Sequence, residues 1–150
     1  MTLPVPVFLD APRSKGGELV IAPRSLQGKR VLIVDDESDT RELIAMIVEQ
    51  HGGIARPASS AADAIAALDT FVPDVLLSDI GMPGMDGCAL IQKIRGSQTE
   101  VIRNVPAIAL TAYARDDDRF RALEAGFHFY EAKPIEPLRL IDVICTAAKV

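Results

Sequence analysis

Apolar residues along this chain occur in short continuous runs, separated by longer segments in which apolar positions recur with helical spacing. Most of the runs are rich in Val, Ile and Leu and are shorter than a typical helix, which favours strands buried on both faces of a sheet. The pattern predicts five strands, over Val31–Asp35, Ile54–Ala58, Asp74–Asp79, Val105–Thr111 and Phe127–Ala132.

Five helices are predicted in the segments that follow these strands. Gly52-Gly53, Gly96 and Gly126 end three of them, and Pro137 suits the first turn of the last one. The predicted helices are Glu37–His51, one that opens at Ser60, one after the loop Met82–Gly87, Arg115–Ala125 and one from Pro137. In the first, third and last helices, the residues expected to face the core are Leu43, Ile44, Ile47 and Val48; Leu90, Ile91 and Ile94; and Leu138, Ile141 and Ile144.

Strands and helices that alternate at this spacing predict a doubly wound α/β domain, in which helices cover both faces of a parallel sheet. Right-handed crossovers bring the carboxyl ends of all strands to one edge, and ligands bind there at the point where the strand order reverses. Polar residues stand at or just after these strand ends, so we expect their side chains to converge: Asp35, Asp36, Asp79, Thr111 and Lys133.

The three carboxylates in this set predict a metal site. They would repel one another strongly without a cation, and Mg2+ prefers oxygen ligands from one or two carboxylates, water and phosphate. We predict Asp36 and Asp79 as direct ligands and Asp35 as a direct or water-mediated ligand. The backbone carbonyl of Gly81 is a further candidate oxygen.

Asp79 is the best candidate for a nucleophile, because it is the last residue of the predicted central strand. A carboxylate that attacks phosphorus yields an aspartyl phosphate, and a metal neutralises charge on the attacking and transferring oxygens. Lys133 supplies a compact positive charge and Thr111 supplies a hydroxyl donor for two other phosphoryl oxygens. Phosphorylation adds a charge of roughly −1.5 to −2 to the domain. Thr111 is expected to move towards the phosphoryl group, and Tyr130 is the aromatic residue expected to turn inward as it does so.

Several short motifs stand in order along the chain: Asp35-Asp36, Asp79 with Met82-Pro83-Gly84-Met85-Asp86-Gly87, Leu110-Thr111-Ala112, Tyr130 and Lys133-Pro134. In this order they resemble the receiver domain of two-component response regulators, over about residues 29–149. The resemblance implies a flavodoxin-like (βα)5 fold with strand order 2-1-3-4-5 and a cis peptide bond before Pro134. It implies Asp79 as the phosphoacceptor, Thr111 and Tyr130 as switch residues, and Mg2+ as the cofactor. A histidine kinase or phosphotransfer protein is the implied partner.

Residues 1–28 differ in composition from the rest of the chain, because they contain four of the protein's 10 prolines and the pair Gly16-Gly17. We interpret this segment as a linker or tail and residues 29–150 as the receiver domain. Thr2-Leu3-Pro4 and the stretch Leu26–Arg30 also resemble the junction in hybrid histidine kinases, where a kinase ATP-binding domain ends and a receiver follows. That resemblance implies the C-terminal receiver of a hybrid sensor kinase, with the end of the kinase domain in residues 1–28.

Charge is distributed unevenly: residues 1–30 carry five basic and two acidic residues (+3), whereas residues 31–150 carry 11 and 19 (−8), which gives a net charge of −5. An acidic body argues against direct nucleic-acid binding, which needs clustered Lys and Arg. The apolar runs are far shorter than a membrane span, the N-terminus shows no signal-peptide pattern, and Cys88 and Cys145 form no metal-binding motif. We therefore expect a cytoplasmic domain without membrane contact of its own, either free or tethered to a membrane sensor kinase.

Two other functions remain open at this point. A Mg2+-dependent aspartyl-phosphate phosphatase also uses strand-end aspartates, but it needs a second Asp two residues after the nucleophile, where this chain has Gly81. A receiver-like interaction module that is never phosphorylated usually lacks an acidic residue or the lysine, and this chain has all of them. The chain itself is not predicted to be a kinase, because it has no glycine-rich ATP lid and neither His51 nor His128 lies in a phosphotransfer-helix pattern.

Overall fold

The computed structural model describes residues 25–112 and 115–149. Its first described residues already belong to the packed domain, since Leu26 is fully buried and its N–H donates to the carbonyl of His51 at 2.8 Å. Except for residues 25–28, the segment interpreted as a linker or as the end of a kinase domain lies outside the described residues. The limits of that segment therefore stay a prediction.

Within the described residues, the chain forms five strands and six helices. No helix among them is long and apolar enough to cross a membrane. In chain order, the strands are β1 Arg30–Val34, β2 Ile54–Ala58, β3 Val75–Asp79, β4 Ala107–Thr111 and β5 Phe129–Ala132. The helices are α1 Ser38–Gln50, α2 Ala61–Ala67, α3 Gly87–Arg95, α4 Glu100–Arg103, α5 Asp116–Ala125 and α6 Pro137–Ala147.

The strands form one parallel sheet in the spatial order β2-β1-β3-β4-β5. The predicted order 2-1-3-4-5 is therefore confirmed. The order reverses between β1 and β3, which are neighbours in the sheet with Val31 opposite Val75, although β2 lies between them in sequence. The carboxyl ends of β1 and β3 are consequently the place where a ligand site is expected in a sheet of this type.

Two apolar clusters fill the space on the two faces of the sheet. Because successive side chains of a strand point to opposite faces, Leu32 and Leu76 belong to one cluster and Ile33 and Leu77 to the other. Strands β3 and β4 are buried along their whole length. Burial on both faces explains why these strands read as continuous apolar runs, with polar residues only where each strand ends.

Two leucines that were expected to face the core are exposed instead. Leu138 has 69% of its surface exposed, because the buried face of α6 is set by Leu140, Ile144 and Ala147, which recur every three to four residues. That phase turns Leu138, in the first turn, towards solvent. Leu43 lies at the edge of the buried face of α1 and is 38% exposed.

The short helix α4 was not predicted, and two strands begin two residues later than predicted. Four residues are too few to show a helical period, and Ile102 is the buried residue of this helix. The predicted strand from Val105 begins at Ala107, because Pro106 has no N–H to give to the ladder and bonds through its carbonyl to the N–H of Leu76. The last strand begins two residues later than predicted, at Phe129.

Arg95, at the end of α3, ties together three segments that follow it in the chain. Its Nε and Nη2 atoms donate to the carbonyl of Gly126 at 3.1 and 2.7 Å. Its Nη1 atom donates to the carbonyls of Arg103 and Val105 at 2.9 and 2.7 Å. One guanidinium thus donates to three backbone carbonyls, at the end of α4, in the segment before β4 and at the C-cap of α5.

Both histidines make hydrogen bonds to the backbone. The Nδ1 atom of His51 lies 2.8 Å from the carbonyl oxygen of Ile47, one turn earlier in α1. The Nδ1 atom of His128 accepts the N–H of Ala107 at 3.1 Å, and burial together with the neighbouring Arg95 charge lowers the pKa of His128. The first contact lies in the last turn of α1, and the second joins the residue before β5 to the first residue of β4.

Candidate functional site

The predicted site residues stand at the carboxyl edge of the sheet. Asp35 directly follows β1, Asp79 is the last residue of β3 and Thr111 is the last residue of β4. Lys133 follows β5, and its backbone N–H donates to the carbonyl of Thr111 at 2.7 Å, which fixes the turn after β5 beside the end of β4. The fold therefore brings together polar residues that lie up to 98 positions apart in the sequence.

Three aspartates form an acidic cluster at this edge. Asp35, Asp36 and Asp79 each offer one carboxylate oxygen, and these three oxygens all lie within 4.8 Å of one another. Asp35 is fully buried, Asp79 is 6% exposed and Asp36 faces solvent. A single divalent cation can reach oxygens at this spacing, with its remaining coordination open to water or a phosphoryl oxygen.

Lys133 is the cation that faces the cluster. Its Nζ atom lies 3.0 Å from Asp35 Oδ2, 3.6 Å from Asp79 Oδ2 and 3.5 Å from Oε1 of Glu37. Burial lowers the pKa of Lys133, but the bond to Asp35 and the charges of Asp35, Asp79 and Glu37 together raise that pKa above its usual value. Lys133 is therefore a protonated, positively charged group at neutral pH.

Asp79 is held in place by its own loop and has an unfavourable environment for its charge. Its Oδ1 atom accepts the backbone N–H of Gly81 at 3.1 Å. Burial raises the pKa of Asp79, the Gly81 bond and Lys133 lower it, and Asp35 and Asp36 raise it again, with a net increase. The folded domain therefore favours whatever neutralises this carboxylate, whether a proton, a cation or an ester bond.

The two carboxylate oxygens of Asp35 have different partners. Its Oδ1 atom accepts the N–H of Glu37 at 2.9 Å, and its main-chain carbonyl accepts Nη1 of Arg41 at 2.8 Å. Its buried Oδ2 atom forms an ion pair with the ammonium of Lys133 at 3.0 Å and accepts no other hydrogen bond from the described residues. A buried carboxylate oxygen whose partner is a cation fits a site that can hold a hard cation such as Mg2+.

Thr111 and Tyr130 lie on neighbouring strands beside the cluster. Thr111 is 3% exposed, and Tyr130 is opposite Ala109, two positions earlier in β4. Thr111 and Tyr130 therefore point to the same face of the sheet, where Tyr130 packs against the apolar cluster while remaining partly exposed. The peptide bond between Lys133 and Pro134 is cis, as the resemblance implied.

Comparison with protein families identifies the family to which the chain belongs. Residues 31–145 match the family described as "Response regulator receiver domain". The chain belongs to this family. It is therefore a receiver domain of the two-component signalling systems, in which receivers act with histidine kinases or phosphotransfer proteins and bind Mg2+ at an acidic site.

Related proteins share the receiver domain within different contexts. The chain is 44% identical over 114 residues to an uncharacterized 14.6 kDa protein in the sodA1 3' region of Leptolyngbya boryana, which covers 76% of this chain and 86% of that protein. It is 33% identical over 113 residues to the phosphate regulon transcriptional regulatory protein PhoB of Escherichia coli, and the match covers 75% of this chain. The chain spans about half the length of PhoB, since the match covers 48% of it.

Solved receiver domains share the fold. The structure is similar to a response regulator from Chloroflexus aurantiacus, with a TM-score of 0.76 and 29% identity over 83% of this chain and 100% of that one. It is also similar to the receiver domain of sensor histidine kinase PA1611 from Pseudomonas aeruginosa, with a TM-score of 0.74 and 28% identity over 82% of this chain and 99% of that one. The PA1611 structure has a magnesium ion coordinated in its active-site cleft.

Sequence reasoning missed three residues that shape the site of this receiver domain. Glu37 contacts Lys133, and Arg41 holds the main-chain carbonyl of Asp35. Gly87, treated only as the end of a loop, begins α3 directly against β3, where an added Cβ would meet the backbone of Asp79 and Ile80. The position of Glu37 directly after the acidic pair was an available signal, whereas the contacts of Arg41 and Gly87 depend on packing.

Proposed function

We propose that this receiver domain accepts a phosphoryl group on Asp79 from a phosphohistidine of a histidine kinase or phosphotransfer protein. Mg2+ would be held by carboxylate oxygens of Asp35, Asp36 and Asp79 and by the carbonyl of Gly81. The observation that supports the proposal best is the approach of three carboxylate oxygens to within 4.8 Å, with the Lys133 ammonium beside them.

The reaction is a displacement at phosphorus. A carboxylate oxygen of Asp79 forms the new bond to phosphorus, while the bond from phosphorus to the donor imidazole nitrogen breaks and that nitrogen keeps the electron pair. When bound, Mg2+ neutralises charge on the attacking and transferring oxygens. Lys133 donates to one phosphoryl oxygen and the Thr111 hydroxyl donates to another, so each group has a separate role on one dianion.

The switch would pass from the site to the surface through β4 and β5. The N–H of Lys133 already donates to the carbonyl of Thr111, so movement at one strand end acts on the other. As Thr111 moves towards the phosphoryl group, Tyr130 turns inward on the same face of the sheet. The surface around α5, β5 and α6 then changes its affinity for a downstream partner.

Replacement of Tyr130 separates signalling from phosphorylation. Tyr130→Ala is expected to keep phosphoryl labelling close to the wild-type level, because the variant leaves unchanged the three carboxylates and the Lys133 ammonium that would carry out the phosphoryl transfer. The variant is expected to weaken the response of the downstream partner. Labelling is measured with acetyl phosphate, and the response of the partner is measured as its affinity for the domain before and after labelling. A loss of labelling itself would count against the switch role.

Labelling with a small donor separates the proposed function from its alternatives. Acetyl phosphate with Mg2+ is expected to give an acid-resistant, base-labile label on this domain, and chelation of the metal with EDTA is expected to stop labelling because the three carboxylates then repel the dianion. Rapid multiple turnover of a small phosphomonoester would instead favour a phosphatase. No label with any donor would favour an interaction module that is never phosphorylated.

The hybrid kinase context is part of the proposal. The composition of residues 1–28 supports it, as does the similarity to the receiver domain of the sensor histidine kinase PA1611. In this context the domain would work in the cytoplasm, tethered to a membrane sensor kinase. Sequencing the gene on both sides of this region tests the proposal, because an upstream kinase ATP-binding domain is expected in the same reading frame and its absence would overturn the hybrid context alone.

A further inference from the structure

We propose that Glu37 is a positioning residue that competes with the incoming phosphoryl group for the ammonium of Lys133. This inference rests on the proposed function of Asp79 as a phosphoacceptor. In the structure, the Glu37 carboxylate lies 3.5 Å from Lys133 Nζ, across 96 positions of sequence. Thr40 Oγ1 donates to the same Oε1 atom at 3.3 Å and so helps to hold it there.

The geometry of Lys133 shows what the competition involves. An ammonium group has three N–H donors, and three carboxylates lie around Lys133 Nζ, at 3.0 Å for Asp35, 3.5 Å for Glu37 and 3.6 Å for Asp79. A phosphoryl oxygen that binds Lys133 must therefore displace one of these carboxylates. All three are negatively charged partners, and each also repels the incoming dianion.

Glu37 is the partner that gives way at the lowest cost. Its side chain is 66% exposed, whereas the side chains of Asp35 and Asp79 are 0% and 9% exposed. An exposed carboxylate recovers its hydration when it leaves an ion pair, but a buried one does not. Asp35 also remains fixed by the backbone N–H of Glu37 at 2.9 Å, which does not depend on the Glu37 side chain.

The competition predicts faster loading when the Glu37 charge is removed. Glu37→Gln is expected to increase the rate of labelling by acetyl phosphate in Mg2+ by about threefold, which is the scale of one exposed ion pair. The matched control is Glu42→Gln, which removes the same charge from an exposed position in α1, the helix for which Glu37 is the N-cap. Glu42→Gln is expected to label at the wild-type rate, because the carboxylates paired with Lys133 are those of Asp35, Glu37 and Asp79, and solvent screens the charge of Glu42 from the site.

An equilibrium measurement provides a second readout. The concentration of beryllofluoride, a phosphoryl analogue, that half-saturates the domain in Mg2+ is expected to fall about threefold in Glu37→Gln and to stay unchanged in Glu42→Gln. All proteins are compared at a temperature where circular dichroism shows them folded. A change in folding stability alone would not shift this midpoint.

The outcomes distinguish this inference from the proposed function. Labelled wild type with equal rates and midpoints for Glu37→Gln and Glu42→Gln would overturn the inference and leave the function of Asp79 intact. Slower labelling of Glu37→Gln would also overturn it, because Glu37 would then hold Lys133 in its working position. An unlabelled wild type would contradict the proposed function, and this inference with it.

Discussion

Asp79→Asn is expected to lose essentially all phosphoryl labelling by acetyl phosphate in Mg2+, at least about 100-fold relative to wild type. The side-chain amide keeps the size and position of the carboxylate but is not a nucleophile towards phosphorus. It also supplies no negative charge for a metal shared with Asp35 and Asp36. The measurement is incorporation of label from radioactive acetyl phosphate, compared with wild type at the same protein and metal concentrations.

Asp86→Asn is the matched control for this prediction. Asp86 lies in the loop after β3 and is the N-cap of α3, where its Oδ1 atom accepts the N–H of Ala89 at 2.9 Å. Asn caps helices about as well as Asp, so this variant keeps the fold while losing one nearby charge. It is expected to label like wild type. Persistent labelling of Asp79→Asn would place the phosphoryl group elsewhere and contradict the assignment.

A stability measurement on Asp79→Asn tests whether its loss of labelling is a loss of folding. Because the pKa of Asp79 is raised above its usual value of 3.8, the folded domain binds this proton more tightly than the unfolded chain. The ionised Asp79 therefore lowers the free energy of unfolding as pH rises through the folded pKa. In EDTA at pH 7, Asp79→Asn is expected to be more stable than wild type in urea, and the difference is expected to shrink as pH falls through the raised folded pKa towards 3.8.

Arg95→Met is expected to lower the free energy of unfolding by about 2–4 kcal/mol. The substitution removes four charge-assisted hydrogen bonds to the carbonyls of Gly126, Arg103 and Val105, and Met keeps much of the aliphatic stem but offers no donor. Hydrogen bonds to a charged group contribute about 1.5–3 kcal/mol each, but bonds that share one guanidinium are not additive. Partial exposure of Arg95 limits the loss further.

Lys93→Met is the control for Arg95. Lys93 lies two positions earlier on α3 and is exposed, so its replacement is expected to change the free energy of unfolding by no more than about 0.5 kcal/mol. Both variants are measured by urea unfolding followed by circular dichroism. Equal stability of Arg95→Met and Lys93→Met would show that solvent replaces the guanidinium at these carbonyls.

The parts of the site that sequence predicted are those in which polar residues interrupt apolar runs. Asp79 and Thr111 are the last residues of β3 and β4, and Asp35 directly follows β1. Parallel pairing brings such strand ends to one edge of the sheet whatever the conformation of the loops. Their convergence therefore follows from topology. The metal and phosphoryl roles do not follow from topology, and these roles remain proposals that the experiments above address.

The parts that sequence did not predict depend on packing between distant segments. Arg95 reads as an ordinary basic residue near the end of a helix, because its partners are backbone carbonyls that carry no sequence signal. The contact between Glu37 and Lys133 depends on side-chain reach across the edge of the sheet. The exposure of Leu138 depends on the phase of α6, which the first turn of a helix does not fix.

The most direct test is to locate the phosphoryl group within the wild-type chain. Borohydride reduces an aspartyl phosphate to homoserine, so peptide mass spectrometry after labelling in Mg2+ identifies the modified residue. The account predicts homoserine at position 79 and at no other aspartate, and none when EDTA replaces Mg2+. Modification at Asp35 or Asp36, or no modification at position 79 in Mg2+, would contradict it.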